Sequence, residues 1–305
     1  MSDRIEDYSR ALAQQLPAVR MLVDEPLCRH TTFQIGGPAR LMVAAPDADS
    51  LAASVRLARQ YGIRHCFLGN GSNVLAADEG YDGVIFLTAP ALTGVEVDGQ
   101  VITAQSGVLL SRCATAAQRH GLSGLEFAHG IPGTVGGAVY MNAGAYGGEM
   151  AQCLLSSTCL TAEGEIVTLS REEHAFSYRY SDYKAHPERL ILSASFGCQP
   201  GDPAQIRAVM ADLSHRRSAK QPLELPSAGS VFKRPEGHYA GQLIEQAGLK
   251  GCRIGGAQVS PKHCGFIVNI GQATCRDVLA LIDHIQQTVY RQFGVMLECE
   301  IRQLS

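Results

Sequence analysis

A handful of tracts carry the groups this chain could use for chemistry. Gly69-Asn70-Gly71-Ser72-Asn73 follows a short apolar run and sets two glycines among three polar side chains. Glycines let backbone N–H groups close on an anion, and successive N–H groups form a nest for phosphate. Asn70, Ser72 and Asn73 add side-chain donors. The plainer reading of the pentapeptide is a tight surface turn. Gly130–Gly148 holds seven glycines and no charged residue. Within it Gly133, Thr134, Gly136, Gly137 and Asn142 are candidate ligand contacts. Such a backbone can wrap a flat or phosphorylated ligand, yet it has no lysine of the GxxxxGK kind that serves nucleotide hydrolysis. A glycine-rich packing crossover is the alternative. Taken together, the two tracts suggest a cleft for a pyrophosphate.

The ionisable and hydroxyl candidates lie further along. Arg179 sits in Ser177-Tyr178-Arg179-Tyr180-Ser181, and a planar guanidinium suits a carboxylate; a packed surface arginine is the bland reading. Ser230 follows Gly229 in a turn-prone stretch. It could be a nucleophile, but no GxSxG elbow surrounds it and no His and acid are evidently paired with it. Local backbone capping is the alternative. In an extended Glu298-Cys299-Glu300 the two carboxylates face one side, as they would on an ordinary charged edge strand. His263 stands alone, as structural histidines commonly do.

These residues need elements to position them. Ile5, Tyr8, Leu12 and Leu16 recur at helical spacing over 4–16, and Pro17 ends that helix. Strands are expected at 40–45, 65–68 and 83–87, with a helix over 49–61 closed by Gly62. Strands at 95–97 and 101–105 flank Asp98-Gly99, a hairpin signal. A helix over 109–120 precedes the long irregular tract, which at that length points to function. A second hairpin joins 157–161 to 165–169, and 190–196 is a strand. Asp202-Pro203 opens a helix running to about Lys220. Then come a helix over 239–247, a strand over 265–269, a helix over 274–293 and a last strand over 295–301. Mixed elements with hairpins in the middle predict an α+β fold. No GxGxxG opens a helix after a strand, which disfavours the common dinucleotide fold. The divisions fall at 1–93, 94–200 and 201–305.

Composition excludes several classes. The 305 residues are 46% hydrophobic and 18% charged with a net charge of −3, a globular balance with no basic surplus for nucleic acid. The ten cysteines show neither CxxC nor zinc-ligand spacing and read as reduced, mostly buried thiols, with no metal. The charged amphipathic start is no signal peptide, and no run spans a membrane. A cytoplasmic monomer is expected.

Three tracts in order resemble signatures of the UDP-N-acetylenolpyruvoylglucosamine reductase family: 31–39 (TTFQIGGPA), 68–75 (LGNGSNVL) and 130–148. The stretch 248–269 resembles its type II subgroup, and no segment matches the tyrosine-bearing loop of type I. The resemblance covers roughly residues 28 to 302. It implies a two-lobed FAD-binding domain of the vanillyl-alcohol-oxidase (PCMH) type, formed by 1–93 and 94–200. It further implies a C-terminal α+β substrate-binding domain, 201–305. It implies noncovalent FAD at Gly69–Asn73 and the glycine-rich tract, with NADPH as reductant. The implied product is UDP-N-acetylmuramate, a peptidoglycan precursor. The resemblance assigns Arg179 to the substrate carboxylate, Ser230 to proton donation and Glu300 to acid catalysis, with Glu298 as rival. Tyr178, Lys220, Arg234 and His263 are implied substrate contacts, although some relatives carry asparagine at the place of Arg234. Two other readings are an oxidase of the same flavin class and a catalytically silent nucleotide-sugar binder; the set Arg179, Ser230 and Glu300 speaks against both.

Overall fold

The computed structural model describes residues 2–305. Along the chain run α1 (Ser2–Gln15), β1 (Arg20–Pro26), β2 (Pro38–Ala44), α2 (Ala48–Gln60), β3 (His65–Leu68), β4 (Val74–Ala76) and β5 (Tyr81–Leu87). Next come β6 (Val95–Asp98), β7 (Val101–Gln105), α3 (Leu110–Arg119), α4 (Val135–Met141), β8 (Leu154–Leu160), β9 (Ile166–Ser170) and β10 (Leu190–Gly197). The last third holds α5 (Pro203–Lys220), α6 (Ala240–Gln246), β11 (Arg253–Ile254), β12 (Ala257–Val259), β13 (Ile267–Asn269), α7 (Cys275–Phe293) and β14 (Arg302–Leu304). These gather into two compact units interleaved in sequence. One takes the residues up to Val23, Leu41–Asn70 and Gly83–Arg216; the other takes Asp24–Arg40, Gly71–Asp82 and Arg217–Ser305.

The first unit has two apolar cores. In one, α1 buries Ile5, Tyr8 and Leu12 as a stripe against Leu51, Val55 and Ala58 of α2 and the strand residues Val43, Val84 and Phe86. The α2 start is fixed by Asp47, whose carboxylate accepts the Ser50 N–H at 2.7 Å, satisfying one donor that the first turn leaves unpaired. The sheet order is β1-β2-β5-β3, and β3 lies parallel to β5 with Leu68 opposite Leu87. The glycine turn therefore leaves the C-terminal end of β3. The second core lies on an antiparallel sheet of order β9-β8-β10-β7-β6. Ala104, Ala194 and Phe196 from its strands pack with Cys113 and Ala117 of α3 and Val135 and Val139 of α4.

The second unit packs α6 and α7 on the sheet β11-β12-β13, burying Leu243, Ile244, Val278, Leu281, Ile285 and Val289. A reciprocal Thr274–Asp277 capping box starts α7, and the Asp78 carboxylate accepts two further N–H groups there, from Cys275 at 2.7 Å and Arg276 at 3.0 Å. Phe33, Ile35 and Leu75 belong to this core.

Three expectations change. The last strand falls at Arg302–Leu304, parallel to β4 with Arg302 opposite Val74. The residues 295–301 alternate in burial but form only an isolated bridge, Cys299 to Phe232. The tract 121–148, read as irregular, contains α4. Thr134 caps that helix through the Gly137 N–H, and buried Val135, Ala138 and Val139 hold it despite two glycines. The strands β1 and β4 were not anticipated. All ten cysteines are free thiols; burial pushes Cys113 and Cys153 up to about 12. No helix among the described residues is long and apolar enough to cross a membrane.

Candidate active site

In the first unit, the two glycine tracts meet. The Asn70 side-chain amide donates to the Pro132 carbonyl oxygen at 2.6 Å, and Leu110 N–H bonds Gly133 O at 3.0 Å. Packing is tight enough to require glycine. A Cβ on Gly69 would fall 2.4 Å from Thr134 Oγ1, and one on Gly136 would fall 2.7 Å from the Ser106 Cβ. Gly137, by contrast, is exposed, with only Thr134 Oγ1 within reach of a Cβ, at 3.6 Å. The Asn70 N–H enters no backbone hydrogen bond among the described residues. Close backbone, an N–H outside the backbone ladder and the lack of any carboxylate in the two tracts favour a pyrophosphate, so the residues present fit FAD. The pentapeptide's first two residues belong to the first unit and its last three to the second.

Arg179 is brought to the same glycine-rich tract. Its Nη2 donates to the Gly144 carbonyl oxygen at 3.3 Å, and its guanidinium lies 4.9 Å from the centroid of the Tyr178 ring. Arg179 adopts φ 57°, a left-handed conformation that a non-glycine residue holds only when its surroundings impose it. Tyr178 is exposed. Asn142, expected to touch cofactor, is fully buried and left-handed (φ 43°). Its amide donates to Ser177 O at 2.9 Å and accepts from Ala151 N at 2.9 Å, so it ties α4 to the Arg179 turn.

In the second unit, Ser230 and Glu300 are neighbours across one residue. Ser230 bridges Phe266 on one side, and the Glu300 N–H donates to the Val231 carbonyl at 2.7 Å on the other. Asn73 holds the same segment: its amide donates to Glu300 O at 3.2 Å and its carbonyl accepts from Arg302 N at 2.9 Å. Ser230 and Glu300 are both half-buried. Glu298 is exposed and ion-paired with Lys233.

The remaining candidates are also in the second unit. Lys220 ends α5 and is exposed. The His263 imidazole is held below its ordinary 6.5 by burial first, and then by the Lys220 charge. Its Nδ1 accepts from Gly265 N at 3.1 Å. The Arg234 guanidinium stacks 4.2 Å from the centroid of exposed Tyr239. Sequence reasoning missed Ser157, His174 and Tyr183, buried polar residues on β8 and on the two short 3-10 helices that flank Arg179; no fixed spacing links them.

The family profile "UDP-N-acetylenolpyruvoylglucosamine reductase, C-terminal domain" matches residues 221–304, and the profile "FAD binding domain" matches 39–170. The UDP-N-acetylenolpyruvoylglucosamine reductase of Exiguobacterium sibiricum is 49% identical over 97% of each chain. The crystal structure of UDP-N-acetylenolpyruvylglucosamine reductase from Thermus caldophilus superposes with a TM-score of 0.79 at 35% identity, covering 94% of this chain and 99% of that one. A 4-ethylphenol oxidase from Gulosibacter chungangensis shares the fold (TM-score 0.50) at 14% identity over 66% of this chain and 43% of its own.

Proposed function

The chain belongs to the UDP-N-acetylenolpyruvoylglucosamine reductase family, is an oxidoreductase, and joins an FAD-binding domain of the PCMH type to the family's C-terminal domain; from that premise we propose that it reduces UDP-N-acetylenolpyruvoylglucosamine to UDP-N-acetylmuramate with NADPH. In this reading the residues up to 93 and 94–200 serve the cofactor, and 201–305 serve the nucleotide sugar. The reaction takes place in the cytoplasm and supplies a peptidoglycan precursor. The observation that carries the proposal is the glycine cradle of the first unit, with Arg179 bonded to Gly144 of that same tract.

FAD, when bound, accepts electrons from NADPH and supplies hydride to the vinyl carbon of the substrate. The chain's own groups manage the negative charge this creates on the α-carbon and carboxylate. Arg179 pairs with the carboxylate; a fixed guanidinium lowers the barrier because it is already oriented when charge develops. Glu300, in its acid form, donates a hydrogen bond to a carboxylate oxygen. Ser230 gives its hydroxyl proton to the α-carbon and completes the product. Lys220 meets the phosphates, with Tyr178, Arg234 and His263 along the nucleotide sugar. The cofactor carries the redox chemistry, and these groups supply orientation and electrostatics.

The experiment separates the two halves of the reaction. Ser230→Ala should leave reduction of the flavin by NADPH intact and slow its reoxidation by the enolpyruvyl sugar by roughly a hundredfold or more, as for loss of a proton-transfer group. Equal loss in both halves would refute the assignment of Ser230.

A further inference from the structure

The turn that carries Arg179 stands on a buried polar chain that the reaction described above leaves unused. Ser157 on β8, His174 and Tyr183 are each at most 1% exposed. Ser157 Oγ lies 2.8 Å from His174 Nε2 and 2.6 Å from the Tyr183 hydroxyl oxygen. His174 Nδ1 lies 2.6 Å from the Ser170 carbonyl oxygen. A carbonyl only accepts, so Nδ1 carries the proton and Nε2 is the acceptor. The Ser157 hydroxyl must then donate to His174 and accept from Tyr183. Each proton is used once and the chain has one direction.

This chain grips both feet of the turn. His174 precedes Arg179 by five residues and Tyr183 follows it by four. Between them Ala175 and Arg179 are left-handed, φ 46° and 57°, so the segment holds its shape only under constraint. Ser177 and Tyr180 exchange both backbone hydrogen bonds, at 3.2 and 3.0 Å. Asn142 donates to Ser177 O at 2.9 Å, and Ser181 Oγ donates to Tyr140 O at 2.8 Å. The Phe176 ring stacks on His174, centroids 5.0 Å apart.

We propose that Ser157, His174 and Tyr183 are positioning residues for Arg179, a single strand hydroxyl fastening the two feet of its turn so that the guanidinium is fixed before a carboxylate arrives. The inference rests on the role given to Arg179 above. The charged groups facing His174 are Asp182 and Glu173, with Arg189 paired to Asp182 at 2.8 Å and Cys159 beside Tyr183. The two carboxylates favour protonation, but burial outweighs them and keeps the imidazole neutral, as the hydrogen-bond direction requires.

Tyr183→Phe removes one oxygen and keeps the ring, so it tests the chain with little risk to folding. Both half-reactions are followed by stopped flow on FAD-loaded protein for the wild type, Tyr183→Phe, Arg179→Lys and the double variant. Reduction by NADPH should change less than about twofold, while reoxidation by the enolpyruvyl sugar slows roughly tenfold in Tyr183→Phe, in line with one lost buried hydrogen bond. In the Arg179→Lys background the same change should add almost nothing, because both act through one contact. Amide exchange at 178–181 should quicken in Tyr183→Phe. Equal slowing of both half-reactions, or effects of the two substitutions that simply multiply, would overturn the proposal while leaving Arg179 in place. Unchanged reoxidation in Arg179→Lys alone would remove the role of Arg179 and this inference together.

Discussion

Gly69→Ala probes the cradle where its geometry is tightest. The new Cβ would stand 2.4 Å from Thr134 Oγ1 and 3.2 Å from its Cγ2. Thr134 Oγ1 is also the α4 cap, accepting the Gly137 N–H at 3.4 Å. If Thr134 turns away, the cap is lost at about 1 kcal/mol; displacement of the packed backbone adds about 1–3 kcal/mol. The total, about 2–4 kcal/mol, corresponds to a fall in melting temperature of roughly 3–6 °C for a chain of this length. Thr134→Ala alone should cost only the cap, about 1 kcal/mol. It also removes the clashing oxygen and methyl, leaving the Thr134 Cβ at 3.4 Å, an ordinary contact. The double variant should therefore be hardly worse than Thr134→Ala, with a coupling of about 2–4 kcal/mol. Calorimetry on the four proteins measures this, and bound flavin per chain, read from absorbance, should fall in Gly69→Ala and recover in the double variant. Additive losses would show that Gly69 and Thr134 do not meet as described.

Burial holds His174 and His65 below their ordinary 6.5. The unfolded chain thus binds more protons than the folded one at acid pH. Stability should be complete above about pH 6.5 and fall as pH drops through that value toward the folded-state values; a pH-independent melting temperature between about pH 7.5 and 5 would contradict this. Glu298→Gln, breaking only an exposed ion pair, should shift stability by less than about 1 kcal/mol and leave turnover unchanged, whereas Glu300→Gln should lower turnover by roughly a hundredfold. Similar kinetics for both would remove the distinction between them. Asn73→Ala leaves the Glu300 carbonyl without its amide donor, a loss of about 1–2 kcal/mol. It should slow flavin reoxidation roughly five- to thirtyfold, and stopped flow would expose an effect misplaced onto reduction by NADPH.

Legibility followed local signals. The helices α1, α2, α3, α5 and α7 were readable from different local signals: an apolar stripe ended by Pro17 in α1, a glycine after α2, α3 and α7, and Asp202-Pro203 at the start of α5, while the Asp98-Gly99 turn placed the β6–β7 hairpin. The tract 295–301 alternates like a strand, but alternation reports only which side chains face the core. A ladder needs a partner, and the ladder that forms joins Arg302–Leu304 to β4, three residues long and too short to announce itself. The helix α4 hid behind Gly136 and Gly137, where tertiary packing overrides poor helix propensity. At the site, the glycine tracts and Arg179 stood out by residue type. What tied them did not: Asn142 and Asn73 are single amides whose partners lie 35 and 227 residues away, and spacing carries no trace of such pairs.

The most direct measurement of the proposed reaction is anaerobic absorbance of the flavin-loaded protein. Addition of NADPH should bleach the yellow band, and addition of one equivalent of UDP-N-acetylenolpyruvoylglucosamine should restore it as UDP-N-acetylmuramate forms. A band that NADPH leaves untouched, or that only oxygen restores, would contradict the account.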